Sequence, residues 1–173
     1  MTVTKRDLQI IIPFILFVGI GIYGAFSVDF IMREITMATT LKWCGVPTFI
    51  LAVYYAYRGT FGYPNEVAIW RNTLGMIGMT AACCIMFFMA FQGFLILYNC
   101  HIGQQNDYLL QGQITKIDSV KNKSGRISYS LKLYREHEKD TIKLDLPKNE
   151  FSEGQFFSKQ MKVGSLGFIY DNE

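Results

Sequence analysis

The sequence predicts a membrane protein in which three transmembrane α-helices precede a small antiparallel β-sheet or barrel domain. Half of its 173 residues are apolar and only 18% are charged. The charges are unevenly placed, because residues 1–100 hold ten of them and the last 73 residues hold the other 21. Leu8 to Val28 (21 residues) and Asn72 to Asn106 (35 residues) contain no Asp, Glu, Lys or Arg. Runs of that length need a bilayer as solvent, which excludes a cytosolic enzyme. From Tyr108 onward the pattern becomes alternating, the signature of half-buried strands. Residues 1–102 therefore form a transmembrane domain and residues 103–173 a small β domain. The net charge of +3 splits into +2 before residue 101 (six basic, four acidic) and +1 after it (eleven basic, ten acidic). That balance argues against a nucleic-acid binder.

The first helix covers about residues 8–27, a length that spans the roughly 30 Å hydrocarbon core. Lys5 and Arg6 before it also fit a secretory signal, but the run is too long for one and Gly24-Ala25-Phe26-Ser27 is a poor cleavage site. The second helix is expected at about 37–57. Its clean apolar stretch, Trp43 to Tyr57, has 15 residues and contains Pro47, so it must extend upstream, with Lys42 snorkelling at one end. Tyr54, Tyr55, Tyr57 and Arg58 make an interfacial anchor at the other end. The third helix, about 72–99, opens after Trp70 and Arg71 and closes at Tyr98, long enough to tilt.

With an inward N-terminus, Lys5, Arg6, Arg58 and Arg71 lie on the cytoplasmic side, against Arg33 and Lys42 outside. The positive-inside rule then favours a cytoplasmic N-terminus and a periplasmic or otherwise extracytoplasmic β domain in a multi-pass protein of the bacterial inner membrane. A second segment that failed to cross would return the β domain to the cytoplasm. Cys44 and Cys100 fall on the same outer side in this topology.

Within the helices, Gly21-x-x-x-Ala25 and Gly78-x-x-x-Ala82, with Gly75, let backbones approach closely. They suit packing among the three helices, a homo-oligomer seam being the alternative. Gln92 is expected to seek a hydrogen-bond partner across helices. Met76, Met79, Met86 and Met89 recur at helical spacing; a copper stripe is conceivable, but methionine is also an ordinary lipid-facing residue. Near the helix centres the chain offers Thr80, Cys83, Cys84 and Gln92 but no carboxylate or basic residue, which disfavours transport by this polypeptide alone.

In the β domain, Leu110, Gly112 and Ile114 mark a first strand, and Ile117 breaks alternation as a bulge would. Lys121-Asn122-Lys123-Ser124-Gly125 reads as a hairpin turn. Ile127, Tyr129, Leu131 and Leu133 then share one face of a second strand, with Ser128, Ser130, Lys132 and Tyr134 on the other. Ile142, Leu144 and Leu146 give a third strand, which Pro147 ends. Phe151, Phe156 and Phe157 lie in a less regular stretch that could hold a short helix, and Ser165 to Tyr170 closes the domain as a last strand. Four or five short strands in about 65 residues imply one small curled sheet or barrel.

The order Gly112-x-Ile114, Tyr129-x-Leu131-x-Leu133-Tyr134, Ile142-x-Leu144 and Val163-Gly164 leading to Phe168-Ile169-Tyr170-Asp171 resembles a known arrangement. It looks like the small β domain of uncharacterised function that follows transmembrane helices in many bacterial membrane proteins. The resemblance covers about 60 residues and implies no activity. The tail is also similar to membrane-anchored five-stranded barrels of the oligonucleotide-binding type, in which the barrel docks proteins.

The chemical repertoire is small. Histidine occurs at 101 and 137 and cysteine at 44, 83, 84 and 100, and no C-x-x-C, H-E-x-x-H, phosphate-loop or G-x-S-x-G pattern is present. Cys100 and His101 could supply two metal ligands, and also serve as plain interfacial residues. Asp140, Asp145, Glu150 and Glu153 alternate with Lys139, Lys143 and Lys148 as solvated strand faces do. Lys116, Lys121, Lys123 and Arg126 could touch anionic headgroups or form an ordinary charged hairpin tip.

The expected function is therefore contact rather than turnover: no catalytic residue, cofactor or metal, with lipid and another protein as partners. Ser128, Ser130, Lys132 and Tyr134 are the candidate docking face. One concrete version is an immunity protein against a secreted toxin. The alternative is an accessory subunit of a membrane transporter or envelope enzyme complex.

Overall fold

The computed structural model describes residues 5–28, 33–62, 67–121, 127–146 and 150–171. Three helices come first, α1 (Lys5–Ser27), α2 (Arg33–Phe61) and α3 (Ile69–His101). All three are long and apolar enough to cross a membrane. Five strands follow, β1 (Asn106–Lys121), β2 (Ile127–Arg135), β3 (Asp140–Leu146), β4 (Phe156–Val163) and β5 (Ile169–Tyr170). The chain divides into a helical unit ending at Tyr98 and a β unit that begins at Asn99, within the last turn of α3.

The helical unit follows from one-sided smallness. α1 and α3 run in the same direction and touch where side chains are missing: a Cβ on Gly21 would overlap the Ala90 backbone, and one on Gly93 would overlap the Gly21 carbonyl. Backbones can approach this closely only where at least one residue lacks a side chain and the other is small. Below that contact Phe14, Phe17, Tyr55 and Phe87 interlock, with ring centroids 5.0 Å apart for Phe14 and Tyr55 and 5.5 Å for Phe14 and Phe87. They surround buried Val18, Ala52 and Cys83. The Tyr55 hydroxyl donates to the Ile10 carbonyl at 3.3 Å, which satisfies a polar tip inside an apolar bundle.

α2 is longer than the sequence suggested, 29 residues against a stretch of about 21, and Pro47 sits inside it without ending it. A ladder of small side chains every fourth residue explains its continuity. Thr36, Thr40, Thr48, Ala52 and Ala56 are buried, while Cys44 and Thr60 in the same row are half-buried. Positions four apart stack on one helix face, and the Thr40 and Thr60 hydroxyls bond back to the carbonyls of Thr36 and Ala56, each at 2.8 Å. Large apolar side chains point the other way, among them Leu41, Val46, Phe49 and Ile50.

The strands form one antiparallel sheet in the order β3-β2-β1-β4-β5. β1 is the shared member: Asn106 to Gln113 pairs with β4, and Gln113 to Lys121 pairs with β2. Its register shifts between Ile114 and Lys116, the bulge that the misplaced Ile117 signalled. A bulge increases local twist, so the sheet curls around Leu110, Ile114, Leu131, Leu133, Ile142, Leu144, Phe157, Met161 and Ile169.

Two expectations are corrected here. Phe156 and Phe157 open a strand rather than lying in a helix, because Phe157, Met161 and Val163 fall on one parity and pack inward. The final strand is two residues, Ile169–Tyr170, since Ser165 to Gly167 form a turn with Gly167 at φ 79°. The hairpin turn expected at Lys121 to Gly125 lies, beyond Lys121, outside the described residues, as does Pro147.

Candidate functional site

Where β1 leaves β2, the sheet opens. The last β1–β2 partners are Gln113 and Tyr134. Upstream of them β1 pairs with β4 on one side, and the other side faces the β2–β3 turn. Gly112 permits the close approach of β2 at this last pairing, because a Cβ there would overlap the Tyr134 carbonyl. The turn itself, Glu136 to Lys139, closes with Lys139 in the left-handed region at φ 52°.

Arg135 holds this end of the sheet. It is 5% exposed, a placement a guanidinium tolerates only when fully paired. Its Nε and Nη2 donate to the two Asp140 carboxylate oxygens at 2.8 and 2.5 Å, and its Nη1 donates to the Tyr108 hydroxyl at 2.7 Å. Glu138 completes the set, 2.5 Å from Nη1 and accepting the Tyr108 O–H at 2.6 Å. Burial works against the charged guanidinium, but the hydrogen bonds to Asp140 and Tyr108 outweigh it and raise its pKa. Burial, followed by the bond to Glu138, raises the Tyr108 phenol as well.

Between β1 and this turn lies a cleft of about 590 Å³, lined in part by Leu109, Gln111, Glu136, His137, Glu138 and Phe156. Across the outer face Tyr134, Gln113 and Phe156 stand in one row on three adjacent strands. Phe156 is 64% exposed, Leu109 50% and Tyr134 38%. One row further along, Lys116, Lys132 and Lys143 are cross-strand neighbours. Lys116 pairs with Asp118 at 2.7 Å, which relieves part of the repulsion expected of adjacent like charges.

A second polar cluster ties the start of the β unit to its end. Asn99 is 1% exposed. Its amide nitrogen donates to the Phe168 carbonyl at 3.0 Å, and its oxygen accepts from the backbone N–H of Leu166 at 2.9 Å and of Phe168 at 3.2 Å. Gln105 donates to the Asn99 carbonyl and accepts the Tyr170 hydroxyl at 2.6 Å. Lys159 of β4 pairs with Asp171, the residue that follows β5.

A scan of family models finds no match to this chain, and no curated protein or solved structure matches it either.

Of the four docking residues expected from sequence, Lys132 and Tyr134 are exposed on the outer face. Ser130 is 9% exposed and counts as buried, and the Ser128 side chain lies outside what is described. Among the helix residues, Gly21 makes the close approach to α3, Ala25 borders it beside Gly93, and Gln92 is half-buried. Gly75 meets only the Thr60 methyl at 3.6 Å, nothing lies within 4 Å of a Cβ on Gly78, and Ala82 is exposed. Gly24 and Gly93, rather than Gly78 and Ala82, provide the intramolecular seam. Met79, Met86 and Met89 are exposed, and no group of three or more His, Cys, Asp or Glu is placed to hold a metal among the described residues. The four cysteines are free thiols. Asp140, expected on a solvated edge, instead clamps Arg135.

Sequence reasoning missed Arg135, Phe156 and Asn99. Phe156 was legible, since a strand that buries Phe157 must turn Phe156 outward. Arg135 could be suspected from its parity with Leu131 and Leu133. Asn99 carried no local signal, because its partners lie about 67 residues downstream.

Proposed function

We propose that this chain is a non-enzymatic bacterial inner-membrane protein whose three helices hold an extracytoplasmic β domain that binds another protein. The observation that carries this reading is the exposed row of Tyr134, Gln113 and Phe156 beside Leu109 and the cleft. Exposed rings next to a depression are the usual anchors of protein interfaces. The basic-residue balance across the short loops supports the orientation. In its finer form the partner is a secreted toxin and the chain is an immunity protein. The test is a photo-crosslinking residue at Phe156 or Tyr134 in intact cells, with Ser119 as control. The proposal expects a discrete protein adduct from the first two positions and none from Ser119; adducts with lipid alone, or equal yield at all three, would contradict it.

A second reading, an accessory subunit of a transporter or envelope enzyme, is favoured by a separate observation. Gly78 and Ala82 lie on an open side of α3, with free space where a Cβ on Gly78 would project. Small residues on an open helix face allow another transmembrane helix to approach closely. Gly78→Ile should break such an assembly while leaving the folded chain intact, as read by co-purification in mild detergent.

A further inference from the structure

The cleft beside β1 has three properties that together specify its occupant. First, Tyr108 to Gly112 pair with β4 only, so along roughly 17 Å of strand the edge facing the cleft has no strand partner among the described residues. An open edge presents backbone N–H and C=O groups that an added strand satisfies, and a lipid or nucleic acid does not. Second, the walls carry exposed apolar groups, Leu109 and Phe156. Third, the charged groups from Arg135 to Asp140 are two cations, Arg135 and Lys139, and three carboxylates, Glu136, Glu138 and Asp140, a sum of −1. Arg135 is already engaged by Asp140 and Glu138, whereas Glu136 is exposed and makes no ion pair with a described residue.

We propose that the partner enters as an extended segment that adds a strand to the open half-edge of β1, with apolar side chains against Leu109 and Phe156 and basic ones against Glu136 and Glu138. This rests on the protein-binding reading above and names the chemistry of the partner. The tight turn after Arg135 then acquires a purpose, since it ends β2 before any of its residues can pair with Tyr108 to Gly112. The buried Arg135 cluster fixes the far wall, so the cleft stays open with no ligand in it.

The experiment uses the full chain in detergent micelles and site-resolved amide hydrogen exchange. The probe is the peptide acetyl-Thr-Val-Lys-Val-Thr-Val-Lys-Val-amide, compared with its glutamate counterpart and with a version N-methylated at alternate residues. At roughly millimolar peptide, the weak end of measurable affinity, the lysine peptide is expected to slow alternate amides within Tyr108 to Gly112, saturably. The N-methylated peptide should have no effect, and the glutamate peptide should bind at least threefold more weakly. Glu136→Lys, a change at an exposed side chain, should weaken the lysine peptide about threefold, as removal of an exposed ion pair does, and improve the glutamate peptide.

Absence of saturable protection, protection confined to β3, or equal effects from the N-methylated peptide would overturn strand addition. So would protection of Tyr108 to Gly112 that appears without peptide as the chain is concentrated, because a second copy would then be the occupant. If the peptide fails while the Phe156 crosslink to a protein persists, strand addition falls and the binding reading stands. If both fail, both fall.

Discussion

Asn99 and Arg135 show how single polar side chains organise the β unit. Each is buried with its hydrogen-bonding capacity spoken for, and a buried polar group left without its partner costs about 1–3 kcal/mol. Asn99→Ala strands the Phe168 carbonyl and the N–H groups of Leu166 and Phe168, so it should destabilise the β unit by about 2–3 kcal/mol. Amide exchange should accelerate first between Gly164 and Tyr170. Arg135→Met should cost about 1–3 kcal/mol, because the Asp140 and Glu138 carboxylates it leaves behind are each 41% exposed and can be hydrated, whereas Lys132→Met on the exposed face should change stability little in a denaturant titration. Tyr108 and Tyr170 give a pH prediction. Burial raises both phenols in the folded chain, so their contribution is complete below the unfolded tyrosine value of about 10 and is lost as pH rises through the folded values. The β unit should therefore weaken at strongly alkaline pH, with deprotonation of Tyr108 and Tyr170, read from NMR of those two rings, and loss of sheet structure appearing together; deprotonation of those two phenols near pH 10 in a fully folded domain would contradict this.

Among the elements, the three helices and most strands were legible because their causes are local. Uncharged runs of 21 and 35 residues admit few structures other than membrane helices, and the alternation around Leu131 and Leu133 fixes a strand. Ile117 signalled the bulge in β1 from sequence alone. The helix contacts were less legible, since small-x-x-x-small spacing occurs on several faces and only packing selects one. The sequence offered Gly78 and Ala82 as readily as Gly21 and Ala25 and did not single out Gly93, and the row from Thr36 to Thr60 on α2 went unnoticed because hydroxyls and thiols hide among apolar letters. This difference is testable by a pair of substitutions. Gly93→Ala places a methyl in the Gly21 backbone and should sharply lower the thermal stability of the helical unit in detergent, while Gly78→Ala, with open space around it, should be neutral or slightly stabilising through helix propensity. Equal effects would mean that the seam lies elsewhere. The cleft itself was illegible, because it arises from register: only the pairing of β1 with β4 before Gln113 and with β2 after it shows which stretch of edge is left over.

At the scale of the whole molecule, the chain joins three helices long and apolar enough to cross a membrane to a five-stranded β unit, and the proposed recognition belongs to the second. The proposed function requires the β domain to be displayed outside the cytoplasm, where a partner from the envelope or beyond can reach the cleft. A reporter active only outside the cytoplasm should work when fused after Glu173 and fail when fused after Thr60. The most direct measurement places a cysteine at Thr141, an exposed position on β3 next to Tyr134 in the sheet register, and treats intact spheroplasts with a membrane-impermeant thiol reagent. The account predicts rapid labelling of Thr141→Cys in sealed spheroplasts at a rate unchanged by permeabilisation. Labelling that appears only after the membrane is opened would put the β domain in the cytoplasm and contradict the claim.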